Sequence, residues 1–449
     1  MIKTAMPTSP HSFAVRMYDE HLEEASFLYE QRKALLRDPE IPWTRIGEFE
    51  ERLEAHIDAL VIGGRLALDI CQKHAKEGDA GELFSAVSVY CRHQDAQLLA
   101  ETWRVLDYDD PAKTVAVTDA LKYELPTAWY PAVQRAIERG DERQVPLLAR
   151  VCGYRRAPCG EQLVRRSASN ATVISASVLS ALSRIAQGDA AESILQKCCN
   201  HADPAIRTEA YLGLVRMGRR EVLRECLTLS QQEAWPHMVL GVGGDRAAAA
   251  TLRRRLEAGS ATSDTLLALG LLGELTAVRS LTGVLASDEL GESAALALYW
   301  ITGAPLFEKA FIAEPVDQAA LFDAELHAWR EHQQLPKRAD GQPFGTTVRQ
   351  LVRDPAAWHA WLAENAPRFN PDYRYRRGQV YSARALLLCL LDEAVPDRLR
   401  QLAYEELNIR YGCDVPFESD LRVKEQTVAL RAIGAWLAAN ESRLPTGRW

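Results

Sequence analysis

The sequence predicts an all-α protein in which helical hairpins stack side by side into a curved solenoid with a helical capping unit at each end. Three observations carry that expectation. Apolar residues recur at helical spacing through most of the chain, while the alternation expected of strands is nearly absent. Glycines punctuate the middle of the chain at a near-regular interval. The composition, 449 residues with 47% hydrophobic and 25% charged, is that of a folded chain with ample apolar surface to bury. Length alone suggests roughly two or three globular domains, but a repeat array can run as one continuous core.

Residues 1–160 read as an N-terminal helical unit with degenerate repeats. Residues 19–35 have helical apolar spacing, and residues 48–75 hold a second long candidate with Phe49, Leu53, Ile57 and Leu60 on one face. Pro39, Pro42, the pair Gly63 and Gly64, and Gly78 with Gly81 divide the region into pieces of one or two helices. Irregular copies of the later repeat surround residues 83–90 and 145–153.

Residues 161–305 form the repeat core. The clearest copies are VLSALSRIAQG (178–188), YLGLVRMG (211–218) and LLALGLLG (266–273), and second amphipathic helices follow at 190–195, 221–227 and 277–285. Gly188, Gly218, Gly243 and Gly273 mark the ends of first helices at a period of about 25–30 residues. A helix commonly ends in a left-handed residue, which glycine adopts cheaply, so each glycine predicts the turn of a hairpin. Small residues such as Ala181, Ala210, Gly213, Ala268 and Gly270 allow neighbouring helices to approach closely. The segment HADPAIR (201–207) is the most HEAT-like: Asp203 can cap a helix, Pro204 suits its first turn, and Arg207 follows. Asp203, Arg207 and the four glycines are read as structural repeat residues.

Periodicity fades after residue 305. Pro315, Pro336, Asp340 with Gly341, and Pro343 punctuate a connector, residues 306–350, with one helix inside it. Residues 351–449 read as a C-terminal helical unit, interrupted at 367–371 and 412–416.

A formal net charge of -8 disfavours phosphate backbones and anionic membranes as partners. Nine scattered cysteines, an odd number set mostly in apolar helical stretches, read as buried thiols in a reducing compartment. Neither a signal peptide nor a run of roughly 20 apolar residues is present, so a cytoplasmic address without a membrane partner is expected. Phosphate-binding glycine loop, nucleophile elbow, paired CxxC and HExxH motifs are all missing, which points away from an enzyme. No cofactor and no metal are expected: Cys198, Cys199 and His201 crowd one helix end without a second ligand pair.

Two polar groups merit weighing. Glu54 and Asp58, four apart beside Arg52 and His56, place two carboxylates on one helix face, an arrangement that serves acid–base work or surface ion pairing. In RFNPDYRYRR (368–377), Arg368, Phe369, Tyr373, Arg374, Tyr375, Arg376 and Arg377 interleave aromatics with arginines, the mixture enriched at protein-binding hot spots. Single-stranded nucleic acid and packing of this loop against its own helices are the competing readings.

The stretches HLEEASFLYEQR (21–32) and FEERLEAHIDAL (49–60) resemble the opening of a bacterial family of HEAT-repeat proteins encoded in type VI secretion gene clusters. The Trp300-Ile301-Thr302-Gly303 segment and residues 361–376 are similar to that family's C-terminal half. Glu50 stands where the family has Asp, Ala59 where it has Gly, and a mixed connector around residues 337–345 replaces an acidic one. The resemblance implies a cytoplasmic accessory protein that holds a secreted toxin or a secretion-apparatus component, as effector adaptor or chaperone or as cognate immunity protein. The expectation is thus a non-catalytic protein-binding scaffold. The alternative is a HEAT-like enzyme, or a nucleic-acid or small-ligand binder, using a concave-face pocket with Glu54, Asp58, Tyr299 and Trp300 as its suspects.

Overall fold

The computed structural model describes residues 9–186, 188–319, 321–338 and 341–448. The first eight residues, part of the stretch read for a signal peptide, and Asp340 of the connector lie outside the described residues. The chain is mostly helical, with few strands, and its contacts divide it into two compact units: Met1–Thr251 with Ser382–Thr446, and Leu252–Tyr381 with Gly447–Trp449.

In the first unit, helices alternate between two layers. The inner layer runs Ala80–His93, Pro111–Glu124, Gln144–Arg155, Ala176–Ile185, Pro204–Arg216 and Pro236–Gly243, each packed on the next. The outer layer includes Tyr130–Arg139, Gly160–Ser169 and Asp189–Cys198 in the same kind of succession. Asp-Pro pairs start two inner helices: Asp110 accepts from the amides of Ala112 and Lys113, and Asp203 from that of Ala205, while the proline sits where an amide would lack a partner anyway. The apolar faces meet between the layers, where Leu179, Leu182, Leu195 and Leu163 are fully buried, each such side chain contributing about 1.5–3 kcal/mol. The N-terminal helix Pro10–Arg37 packs on Ile46–Ile62 and Ala80–His93, and Tyr29 stacks on Phe84 at 3.9 Å while donating to Asp119.

The late segment of this unit contributes Ala383–Leu391, Asp397–Tyr411 and Val423–Asn440. Asp397–Tyr411 packs against the inner-layer helices Pro204–Arg216 and Pro236–Gly243, and Val423–Asn440 against Ile46–Ile62. The expected boundary at residue 351 therefore does not coincide with a unit edge; contacts join residues 382–446 to the N-terminal helices.

The second unit is built on the pair Ser263–Leu272 and Gly291–Thr302, both ending at left-handed glycines, Gly273 and Gly303. The connector holds the expected helix, Asp323–His332, but also two strands that the sequence reading missed. Phe307–Ala313 pairs antiparallel with Gly345–Leu351. Both strands are largely exposed, so neither shows the apolar alternation that burying one sheet face imposes.

The repeat glycines play unequal parts. Gly188, Gly218 and Gly273 have positive φ, of 85°, 85° and 74°. Gly243 instead ends its helix in ordinary helical geometry, buried where a Cβ would stand 3.0 Å from Val215, so its small size serves close packing rather than a left-handed turn. Asp203 caps its helix as expected, and Arg207 donates to the carbonyls of His201 and Ala202 and to Glu233 at 2.9 Å.

Candidate functional site

Successive inner helices of the first unit carry a cation in their last turn: Lys122, Arg155, Arg184 and Arg216. A cation there is favoured by the partial negative charge of the helix end. Arg155 makes this explicit by donating to the carbonyls of Lys122 and Tyr123, at 2.7 and 3.2 Å.

The late segment answers this row with acids. Glu405, on Asp397–Tyr411, accepts from Arg184 at 2.7 Å and from Arg216 at 2.8 Å. Glu418 meets Arg184 at 2.6 Å and Arg156 at 3.1 Å, and Asp420 meets Lys122 at 3.2 Å. Farther toward the N-terminus the pattern inverts: Arg422 pairs with Glu124 and with Glu54, which Arg92 also holds. Arg32, paired with Glu50 at 2.8 Å, donates to the backbone carbonyl of Asp420.

Burial decides how these groups titrate. Burial opposes ionisation of Glu405, but Arg216 and Arg184 overturn that and hold its carboxyl at about 2, against an ordinary 4.5. Glu418 goes the other way: burial outweighs its two arginines and raises its pKa. Burial also raises Asp397, at the start of the same helix.

Between the inner helices and this segment an open cleft of about 810 Å³ remains. One wall is formed by small residues, Ala149, Gly153, Ala176, Ser177, Ser180 and Ala181, from the helices Gln144–Arg155 and Ala176–Ile185. Asp397, Gln401, Glu418 and Asp420 form the other, with Lys122, Tyr154 and Arg184 also lining the space. Two polar atoms of lining residues are shut from solvent without a hydrogen-bond partner: Tyr154 Oη and Asp397 Oδ1. Paired charges rim an open cleft whose exposed lining is more apolar than polar, a setting suited to a ligand that carries both apolar and polar groups.

The interleaved arginine and tyrosine motif has a different place. In the second unit, Arg374, Tyr375 and Arg376 are only 2%, 2% and 0% exposed. Tyr375 donates its amide to the carbonyl of Gly273, and Arg376 donates to those of Gly270 and Leu271, at 3.3 and 2.7 Å. Arg376 also lies over the Trp300 ring, and Arg377, half-buried, donates to the Tyr299 hydroxyl at 2.7 Å. The segment thus plugs the carbonyl ends of Ser263–Leu272 and Gly291–Thr302. Arg368 is exposed, and Phe369 and Tyr373 are half-buried. As a contact surface the motif is therefore reduced to its margins, because the helix ends consume its centre.

Glu54 and Asp58 are bound up with Arg92, at 3.0 and 2.5 Å, and they belong to the first unit, whereas Tyr299 and the fully buried Trp300 belong to the second. None of the four lines the cleft. Cys198 is buried and Cys199 half-buried, and among the described residues no group of three or more metal-ligating side chains is assembled. Sequence reading missed Lys122, Arg184, Arg216, Glu405 and Glu418. A signal for the first row was present, since Arg184 and Arg216 stand shortly before the glycine in two repeat copies. Nothing in the sequence announced their acidic partners roughly two hundred residues away.

No family model matches the chain, and no curated protein matches it.

Proposed function

We propose that the chain is a non-catalytic binding scaffold, a HEAT-like helical-hairpin solenoid whose inner layer recognises a charged segment of another protein. The observation that carries this reading is the open, charge-lined cleft on the inner-layer helices of the first unit, flanked by a network of paired arginines and carboxylates. Charged recognition of this kind contributes specificity and association rate, which is what a dedicated partner requires. The resemblance of residues 21–32 and 49–60 to a family encoded in type VI secretion clusters supports a cytoplasmic accessory role, as effector adaptor or chaperone or as cognate immunity protein.

The test is co-purification of the tagged full-length chain with the products of neighbouring secretion-cluster genes, each co-expressed with it. Stable one-to-one capture of an effector or spike component is the expected result. Capture of none of them overturns the secretion reading. Arg150→Glu, a charge reversal at an exposed residue of the cleft, is expected to weaken capture. Equal capture by that variant would move the interface away from the cleft. The small-ligand alternative also has the cleft in its favour, whereas none of the four residues suspected of catalysis lines it.

A further inference from the structure

We infer that His21 and His56 form a binding site for a divalent transition-metal ion of the nickel or copper class, held through both Nδ1 atoms. Neither residue lines the cleft, and the site goes beyond the scaffold reading without resting on it.

The two rings come from different helices of the first unit, Pro10–Arg37 and Ile46–Ile62, which pack on each other. Their Nδ1 atoms stand 3.0 Å apart, and both residues are half-buried, so the pair is open to solvent on one side. The hydrogen bond between them needs one Nδ1 bare and the other carrying the shared hydrogen. A metal ion needs both bare, and a neutral imidazole reaches that state by carrying its hydrogen on Nε2 instead, with no change of charge. Burial and the neighbouring His21 lower the pKa of His56, so protons compete less for that ring near neutral pH.

The separation selects the kind of metal. With metal–nitrogen bonds of about 2.0–2.1 Å, nitrogens 3.0 Å apart subtend about 90–97° at the ion. That is the angle between adjacent ligands in square-planar or tetragonal coordination, which suits copper(II) and nickel(II) with nitrogen donors. A tetrahedral zinc site would spread the same nitrogens to about 3.3 Å. The rings meet edge to face at 63°, and the ring torsion of histidine is soft, so rotation of the rings rather than movement of the helices brings both lone pairs to one point. Magnesium and calcium prefer oxygen donors, which this pair does not offer. Two charged side chains bear on the site: Glu24, one turn beyond His21, favours a cation, and Arg52, one turn before His56, opposes one. Among the described residues no third metal-ligating side chain completes the set, which leaves the remaining positions to water.

Calorimetric titration of the full chain, stripped of metal with EDTA, tests the site near pH 7.5 with nickel(II) and with magnesium(II). Expected is one equivalent of nickel bound with a dissociation constant of about 1–100 µM, no binding of magnesium, and tenfold or more weaker nickel binding near pH 5.5, where protons compete for the rings. His21→Ala and His56→Ala should each weaken nickel binding tenfold or more, because a single imidazole loses the gain of a second ligand on the same chain. His56→Phe keeps a ring in the helix contact and should do the same, with thermal melting confirming that each variant folds. One equivalent of copper(II) should show splitting from two nitrogens by electron paramagnetic resonance in the parent, a pattern lost in either alanine variant. The inference is overturned if nickel binds no more tightly than about 1 mM, or if the parent and the three histidine variants bind it equally. Neither result bears on capture of a partner protein, so failure here leaves the scaffold reading standing.

Discussion

Glu405 is the residue on which the inner network turns, because among the described residues it is the carboxylate that pairs with both Arg184 and Arg216. Removing it leaves Arg184 to Glu418 and Arg216 to Glu209 and takes one charge-assisted hydrogen bond from each cation, a loss of about 1.5–3 kcal/mol per bond. Glu405→Ala should therefore lower the urea midpoint strongly, and Glu405→Gln less, since the amide still accepts hydrogen bonds. Its titration has a definite sign. The folded-state pKa, about 2, lies below the ordinary 4.5, so its stabilisation is complete above about 4.5 and is lost as pH falls toward about 2. Unfolding measured between pH 5 and pH 2 should show this loss in the parent, with a flatter profile in Glu405→Gln; equal slopes would deny Glu405 that role. His56 works in a milder range. Burial and the neighbouring His21, 3.0 Å away between Nδ1 atoms, lower its pKa, so its contribution falls as pH drops through 6.5.

At the scale of single elements, arginines repeatedly close the carbonyl ends of helices. Arg155 does so for Pro111–Glu124, Arg410 for Pro236–Gly243 through Gly241 and Gly244, and Arg376 for Ser263–Leu272. A helix leaves its last four carbonyls without internal partners, and a guanidinium supplies both the hydrogen bonds and the favourable charge. Arg376→Ala should therefore cost about 1–3 kcal/mol of stability by chemical denaturation, whereas Arg368→Ala, at an exposed position, should change it by less than about 0.5 kcal/mol. Comparable effects would mean that the motif is not a structural plug. Helix starts and stops give a second contrast. Asp203→Ala removes one N-cap and should cost about 1 kcal/mol. Gly273→Ala combines a positive φ of 74° with a Cβ driven into the carbonyl of Tyr375, and should cost more.

For the molecule as a whole, the late segment decides how the first unit is closed. Ending the chain at Tyr381 would remove Glu405, Glu418 and Asp420 together, taking both carboxylates from Arg184 and leaving Lys122 with Asp119 and Arg216 with Glu209. Amide exchange in Ala176–Ile185 and Pro204–Arg216 should then accelerate by tenfold or more, or the product should fail to fold. Unchanged protection would show that the inner layer is stable without its acidic partners. The free cysteines allow an independent check: Cys71, Cys91 and Cys226 are buried and should stay unmodified before unfolding, whereas Cys199, half-buried, should react first but slowly, because burial pushes its thiol up to about 12.

Helical spacing, Asp-Pro caps and glycine stops are local signals, each decided by residues within one or two turns of one another, and so the helices around Asp203 and Gly218 were legible in the linear text, whereas Gly188 starts the helix after it instead of ending the one before. The exposed strands at Phe307–Ala313 and Gly345–Leu351 were not, because they bury too little to impose a pattern. The same distinction separates the two arginine-rich features. Composition marked residues 368–377 as unusual, but only packing revealed that Arg374 and Arg376 serve helix ends inside their own unit. Lys122, Arg184 and Arg216 look in sequence like ordinary surface cations at helix termini. Their meaning comes from Glu405, Glu418 and Asp420, brought to them by a fold that joins residues 382–446 to the N-terminal helices. Secondary structure is written in short-range periodicity, whereas charge pairing across hundreds of residues depends on where burial places each partner, and that is settled only when the chain is folded.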